Sequence, residues 1–288
     1  MRTWEVMVAY VEVNGLRTWH EVRGEGRPVV LLHGAFSGAA SWSAQALVLA
    51  DAGYRVHLPE RRGHAHTPDV PGPLTYDAMA DDTVAYLDGV VGGQAHLVGW
   101  SDGAVVALLV AQRRPDLVDR LVLIGQYYNS SGRVPGGLVE LLSAGGEEVM
   151  GFLRAGYDPI SPDGPEHFPV VYAKTVHMLA TEPEVELASL TTVTAPTLVL
   201  QGDRDEVTLQ HGAAVAAALP QGRLAVLPGT HELPTENPGV VNALLLWFLA
   251  GAAAGTAAGS SERRGRRRAE LGQGDHPRTT RGRRARGP

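Results

Sequence analysis

The chain has 288 residues, a formal net charge of −6, 44% hydrophobic and 19% charged residues, and no cysteine. The length can bury a sizeable core and the composition excludes a largely disordered chain. The lack of cysteine excludes disulfides, thiolate nucleophiles and cysteine-ligated zinc or iron–sulfur centres.

Met1 to Tyr10 lacks the apolar core of a secretory leader, so a cytoplasmic protein is expected. Val8–Val13 and Thr18–Val22 flank Asn14-Gly15, a hairpin signal. The runs Val29–Leu32, Arg55–Leu58, Ala95–Val98, Leu121–Ile124, Thr197–Leu200 and Leu224–Leu227 are short and apolar, as in parallel strands buried on both faces. Helical patterns separate them at Ser43–Ala52, Tyr76–Val90, Asp102–Arg113 and Leu209–Leu219. This alternation predicts an α/β fold: a mostly parallel central sheet with an N-terminal antiparallel hairpin and helices on both faces.

Between Gln126 and Leu190 no buried strand is visible. Short helices are expected at Gly137–Ser143, Glu147–Ala155, His167–Leu179 and Glu184–Leu190, read together as a helical cap over the C-terminal edge of the sheet. The apolar run Val240–Ala254 is interrupted by Asn242 and is too short for a span, so a buried C-terminal helix ended by Gly251 and Gly255 is expected, and no membrane partner. The predicted organisation is a core of 1–125 and 191–254, a cap of 126–190 and a disordered Arg-rich tail of 255–288. From Glu262 on, ten arginines face only Glu262, Glu270 and Asp275, a net of +7, which leaves −13 for the rest of the chain. The tail has no aromatic residue for base stacking and joins an acidic body, so nucleic-acid binding is not expected.

The densest chemical signal is Gly99-Trp100-Ser101-Asp102-Gly103, a G-x-S-x-G directly after one predicted strand and directly before a predicted helix. That is the setting of a nucleophile elbow, with Ser101 presented on a tight turn and glycines allowing close backbone approach. A serine hydroxyl needs a base and an orienting carboxylate. The loop Gln201-Gly202-Asp203-Arg204-Asp205 offers the acid, and Pro228-Gly229-Thr230-His231 offers a histidine after the next strand.

These segments, with His33-Gly34, Arg61-Arg62-Gly63-His64, APTLVLQGDRDEV and PGTHELPTENP, resemble the α/β-hydrolase superfamily over roughly 8–250. The resemblance implies Ser101 as nucleophile, His231 as base and Asp205 as acid in the G-x-x-D pattern, with Asp203 as the runner-up. It implies backbone N–H donors for an oxyanion at Ala35 and Asp102, and a structural role for His33. The loop that usually reads Asp-x-Arg-Gly-x-Gly here has Glu60 and Ala65 at its first and last positions. GWSDG is similar to valacyclovir-hydrolase-like members, in which the acidic residue suits α-amino acid esters. The other reading is that Asp102 points away from the substrate and caps the helix N-terminus, where acids are favourable.

Phe36, Trp100, Tyr127 and Tyr128 are candidate pocket residues, and His64, His66 and Asp69 are read as a surface loop with no metal. No cofactor is implied. The expected activity is that of a serine hydrolase on a small carboxylic ester, thioester, lactone or amide. Carbon–carbon bond hydrolysis, acyl transfer and perhydrolysis use the same triad, and a non-catalytic small-molecule-binding scaffold is the reading from another class. Serine at the elbow argues against epoxide hydrolases and haloalkane dehalogenases, which have aspartate there. Oligomeric state is not legible.

Overall fold

A computed structural model describes residues 4–251. The expected tail at 255–288 lies outside the described residues. Eight strands form one sheet: β1 (Met7–Val13), β2 (Leu16–Arg23), β3 (Arg27–Leu32), β4 (Tyr54–Pro59), β5 (Ala95–Trp100), β6 (Val118–Ile124), β7 (Thr197–Gly202) and β8 (Gly222–Leu227), in the order β1-β2-β4-β3-β5-β6-β7-β8. β2 is antiparallel to both β1 and β4, and every later pairing is parallel. The β1–β2 turn places Asn14 and Gly15 at φ 51° and 73°, the left-handed pair that a two-residue hairpin needs.

Around the sheet lie α1 (Ser43–Asp51), α2 (Tyr76–Tyr86), α3 (Asp102–Arg113), α4 (Leu138–Ala144), α5 (Glu147–Tyr157), α6 (Phe168–Thr181), α7 (Leu209–Ala218), α8 (Leu233–Glu236) and α9 (Pro238–Leu249). Side chains alternate across a strand, so β3 feeds two cores at once. Val30 and Leu32 pack with α2 and α3; Val29 and Leu31 pack with α1 and α9. All four are fully buried, as expected of an interior parallel strand.

Three expectations are corrected. β8 is an edge strand, so Leu224 and Val226 are about two-fifths exposed and not buried on both faces. The C-terminal helix stops at Leu249 and buries one face only: Val241, Leu245 and Phe248 face inward while Val240 and Trp247 lie in solvent. The helix expected at Glu184–Leu190 is a 3-10 turn at Leu187–Thr192, preceded by extended chain.

The segment between β6 and β7 contains α4, α5 and α6. Asp69 Oδ2 ties α6 to the loop after β4, accepting from Lys174 Nζ at 2.6 Å and lying 2.9 Å from His167 Nε2. Among the described residues no helix is long and apolar enough to cross a membrane.

α3 is the most deeply buried helix, with Asp102 to Ala111 all inaccessible or nearly so. It lies against β3 and β5 because two positions lack a side chain. A Cβ on Gly103 would stand 2.1 Å from the Leu32 carbonyl oxygen, and one on Gly99 would stand 2.2 Å from that of Gly103. Neither contact is sterically allowed, and both obstacles are backbone. Gly103→Val is therefore expected to lower stability by at least about 2 kcal/mol, read as a fall in urea midpoint.

Candidate functional site

The parallel strands end on one side of the sheet, and the segments that follow β3, β5, β6, β7 and β8 meet there. The β5–α3 turn presents Ser101 at φ 55°, ψ −122°, a strained conformation for a residue with a side chain. The turn is fixed by the Ser101 N–H donating to Ile124 O at 2.8 Å. The loop after β7 brings Asp205, and the loop after β8 brings His231.

The structure joins these three residues in one chain of contacts. His231 Nε2 is 2.8 Å from Ser101 Oγ, and His231 Nδ1 is 2.7 Å from Asp205 Oδ1. A carboxylate only accepts, so Nδ1 carries the proton and Nε2 offers its lone pair to the serine hydroxyl. Asp205 also accepts from the Gly202 and Val207 N–H groups, each at 3.3 Å, which fixes its carboxylate plane. Asp203 faces away from the histidine side chain: its Oδ1 accepts from the Gly229 N–H at 2.9 Å and holds the loop that carries His231.

Burial pushes the His231 imidazolium down, but the Asp205 hydrogen bond and charge, with the charges of Glu232 and Glu206, outweigh it. The net direction is above 6.5. Trp100 adds a constraint from outside the triad by donating Nε1–H to the His231 carbonyl at 2.8 Å.

Gly125, directly after β6, is a site residue that the sequence reading missed. β6 lies between β5 and β7, so the His231–Asp205 pair passes over its end. A Cβ on Gly125 would lie 2.9 Å from the His231 ring and 3.4 Å from Asp205 Oδ2, and its φ is 59°. The available signal was a glycine at the C-terminal end of a buried strand next to the elbow strand.

His33 and Gly34 follow β3. Gly34 packs so closely that a Cβ would sit 3.3 Å from Ser101 Cβ, which sets the neighbouring Ala35 on the pocket wall. The turn is locked from behind by Arg61, whose Nη2 donates to His33 O at 2.5 Å and Gly34 O at 2.8 Å, and whose N–H donates to His33 Nε2 at 3.1 Å. His33 is thus a buried hydrogen bonder, held neutral by burial and by the Arg61 charge. Asp102 is the first residue of α3, so its N–H has no acceptor within its own helix.

The Asp102 side chain makes no helix cap and does not line the main pocket. It is fully buried and accepts from the Tyr76 hydroxyl at 2.8 Å. Burial raises its carboxyl above the usual range, against the pull of Arg61 and Tyr76. The side chain points away from the pocket, as the second sequence reading has it, but makes no cap hydrogen bond.

A cavity of about 930 Å³ opens onto Ser101 and His231. Phe36, Trp100 and Tyr127 line it, as expected. Tyr128 does not: consecutive residues past a strand point opposite ways, and its ring stacks on His211 at 3.9 Å. Leu138, Leu141, Leu142, Phe152, Leu153 and Leu179 add to its apolar wall. Glu140, Glu148, Glu206 and Glu232 line it together with Arg133, an acidic balance that the sequence reading did not foresee.

The loop expected on the surface is also corrected. His64 and Thr67 are buried because Glu60 folds the loop around its own carboxylate. Among the described residues no cluster of histidines and carboxylates has metal-site geometry.

The Alpha/beta hydrolase family matches residues 29–244. The chain belongs to the alpha/beta hydrolase family. Within the family it is 26% identical over 273 residues to a non-heme haloperoxidase of Rhodococcus erythropolis, covering 82% of this chain and 97% of that protein. It is 36% identical over 115 residues to the 2-hydroxymuconate semialdehyde hydrolase of Pseudomonas sp. (strain CF600), covering 38% of this chain and 40% of that protein. Its fold is similar to that of a meta-cleavage product hydrolase from Pseudomonas fluorescens IP01, with a TM-score of 0.69 at 22% identity over 85% of this chain and 98% of that one.

Two measurements follow for this alpha/beta hydrolase. The His231 ring resonances should titrate with a midpoint above 6.5, and Asp205→Asn should move it down, because the amide removes the charge that stabilises the imidazolium. Gly125→Ala should leave the thermal midpoint within a few degrees of wild type yet displace the His231 ring from Ser101, seen as a changed histidine resonance.

Proposed function

We propose that this enzyme is a serine hydrolase that cleaves a carboxylic ester, thioester, lactone or amide through an acyl-enzyme on Ser101. The observation that carries the reading is the unbroken chain from Ser101 Oγ through His231 to Asp205, with both links under 3 Å. His231 takes the Ser101 proton as Oγ bonds to the substrate carbonyl carbon. The Ala35 and Asp102 N–H groups hold the resulting oxyanion. The bond to the leaving group then breaks, and His231 returns the proton to it. Water, deprotonated by the same imidazole, attacks the acyl carbon and releases the acid and free Ser101. Asp205 remains ionised throughout and orients the ring.

The cavity supports a substrate larger than the small ester expected from sequence, since about 930 Å³ accommodates a drug-sized molecule. Its four carboxylates against one guanidinium favour an uncharged ester over an anionic one. Because the Asp102 carboxylate is buried against Tyr76, it is not assigned to substrate amines. Similarity to the 2-hydroxymuconate semialdehyde hydrolase supports a second reading, in which the same serine opens a carbon–carbon bond beside a carbonyl.

Ser101→Ala should reduce hydrolysis of a p-nitrophenyl ester by at least about 10³-fold without loss of the folded state. A fluorophosphonate should label wild type at Ser101 and leave the variant unlabelled. Full activity in Ser101→Ala would refute the mechanism.

A further inference from the structure

A second cavity, of about 330 Å³, abuts the first and shares Phe36, Ser37, Ser41 and Leu153 with it. Gly34, Ala35, Ser101 and His231 line the first cavity, and none of them lines the second. The space beside Ser101 thus meets the second cavity at the shared residues. Two of these are small, and Ser41 Oγ turns back to donate to Gly38 O at 2.7 Å. Phe36 and Leu153 are the bulky pair, and only Phe36 belongs to the turn that carries Ala35.

Phe36 is held at both its backbone and its ring. Its backbone is in the left-handed region at φ 53°, a conformation that a bulky residue keeps only where its surroundings impose it. Its ring packs on Tyr172 of α6, with centroids 5.6 Å apart and planes at 31°. Tyr172 is anchored in turn: it packs on Phe168 at 5.8 Å, and its hydroxyl donates to the Leu142 carbonyl of α4.

The second cavity suits an uncharged, apolar group. Trp19, Tyr157, Ile160, Phe168 and Val171 supply apolar surface. Its two carboxylates are already engaged. Glu21 Oε2 accepts from Arg23 Nη2 at 2.5 Å and Nε at 3.1 Å. Glu60 Oε1 accepts from the Ala39 N–H at 3.0 Å, and Oε2 accepts from the His66 N–H at 2.7 Å with His66 Nδ1 at 3.1 Å. Burial and the Arg61 charge hold His64 neutral, with its pKa lowered to about 3. A substrate carboxylate would meet Glu21 and Glu60, and an ammonium would have to displace the donors they already hold.

We infer that Phe36 is a specificity-determining residue: its ring partitions the substrate space and keeps the second cavity from receiving an aryl or alkyl branch of an ester whose carbonyl lies at Ser101. This assignment rests on the serine-hydrolase reading above. Position 36 directly follows Ala35, so the excluded branch is one carried on the atom next to the carboxyl group, on the acyl or the alcohol side.

Two pairs of esters test the partition. p-Nitrophenyl 2-phenylpropanoate against p-nitrophenyl propanoate probes the acyl side, and 1-phenylethyl acetate against ethyl acetate probes the alcohol side. Each pair gives a ratio of kcat/KM, branched over unbranched. Phe36→Ala, and Phe36→Gly, which also suits the left-handed backbone, should raise the ratio of at least one pair by about tenfold, as burial of the phenyl group allows. Filling the second cavity should cancel that gain: Gly156→Phe or Ile160→Trp, added to either variant, should return the ratio to the wild-type value. Gly156 lines the cavity from α5, and a Cβ there meets nothing within 4 Å. In the wild-type background the same two substitutions should leave both ratios unchanged, because Phe36 already closes the cavity to substrate. The ratio is the readout, so a variant of lower overall rate still reports. Ratios that neither Phe36 variant raises, a gain that survives both filling substitutions, or a wild-type ratio lowered by them overturns the partition while unbranched esters are still hydrolysed. Absence of any Ser101-dependent hydrolysis overturns the serine-hydrolase reading and the partition together.

Discussion

The close approach of α3 to β3 is the constraint on which the site depends. With no side chain at Gly103, the first turn of α3 rests against the Leu32 carbonyl, and with none at Gly99 the elbow turns back on itself. That contact places the Ser101 hydroxyl above the sheet, beside the Gly34-Ala35 turn and within reach of His231. It also buries α3 almost completely, so the apolar face of the helix offsets the strain stored at Ser101. The same geometric rule recurs at Gly125, where the acid–histidine pair crosses the end of β6. The site is built where strands end and side chains are left out.

Electrostatics are layered around this scaffold. Behind the Gly34-Ala35 turn the buried Arg61 guanidinium is held by backbone carbonyls, with Asp102 as a nearby buried carboxylate. In front, Asp205, Glu206 and Glu232 surround His231 with negative charge and favour its imidazolium. In the proposed acyl transfer the ring passes through that charge state, and such surroundings would lower the cost of moving the Ser101 proton. The two layers have opposite needs. Rigid hydrogen bonding holds the turn, whereas accessible carboxylates shape the field of the pocket.

The sequence reading was closest for features set by local patterns. The eight strands, the limits of α3 and the Asn14-Gly15 hairpin follow from alternation, turn chemistry and the glycines of the elbow. It was further off where two distant segments decide an outcome. Tyr127 and Tyr128 have the same composition and differ by one position, yet only Tyr127 reaches the cavity. The His64 loop reads as polar surface, but Glu60 draws it inward by accepting from Ala39 and His66. Asp102 stands beside Ser101 in sequence, while its carboxylate points at Tyr76 on another helix.

The sequence by itself determined the α/β class and the elbow turn, because hydrophobic periodicity and the glycine spacing of a tight turn are local properties, and its resemblance to the α/β hydrolases implied the order of serine, acid and histidine along the chain. The contact of His231 with Asp205, the acid that the resemblance put ahead of Asp203, belonged to tertiary structure. So did the demand for glycine at position 125, the acidic wall of the cavity and the place of Phe36 on the wall of both cavities. Each of these depends on the distance between atoms that the chain separates by tens of residues, and only the packing of strand ends and the helical segment between β6 and β7 fixes those distances.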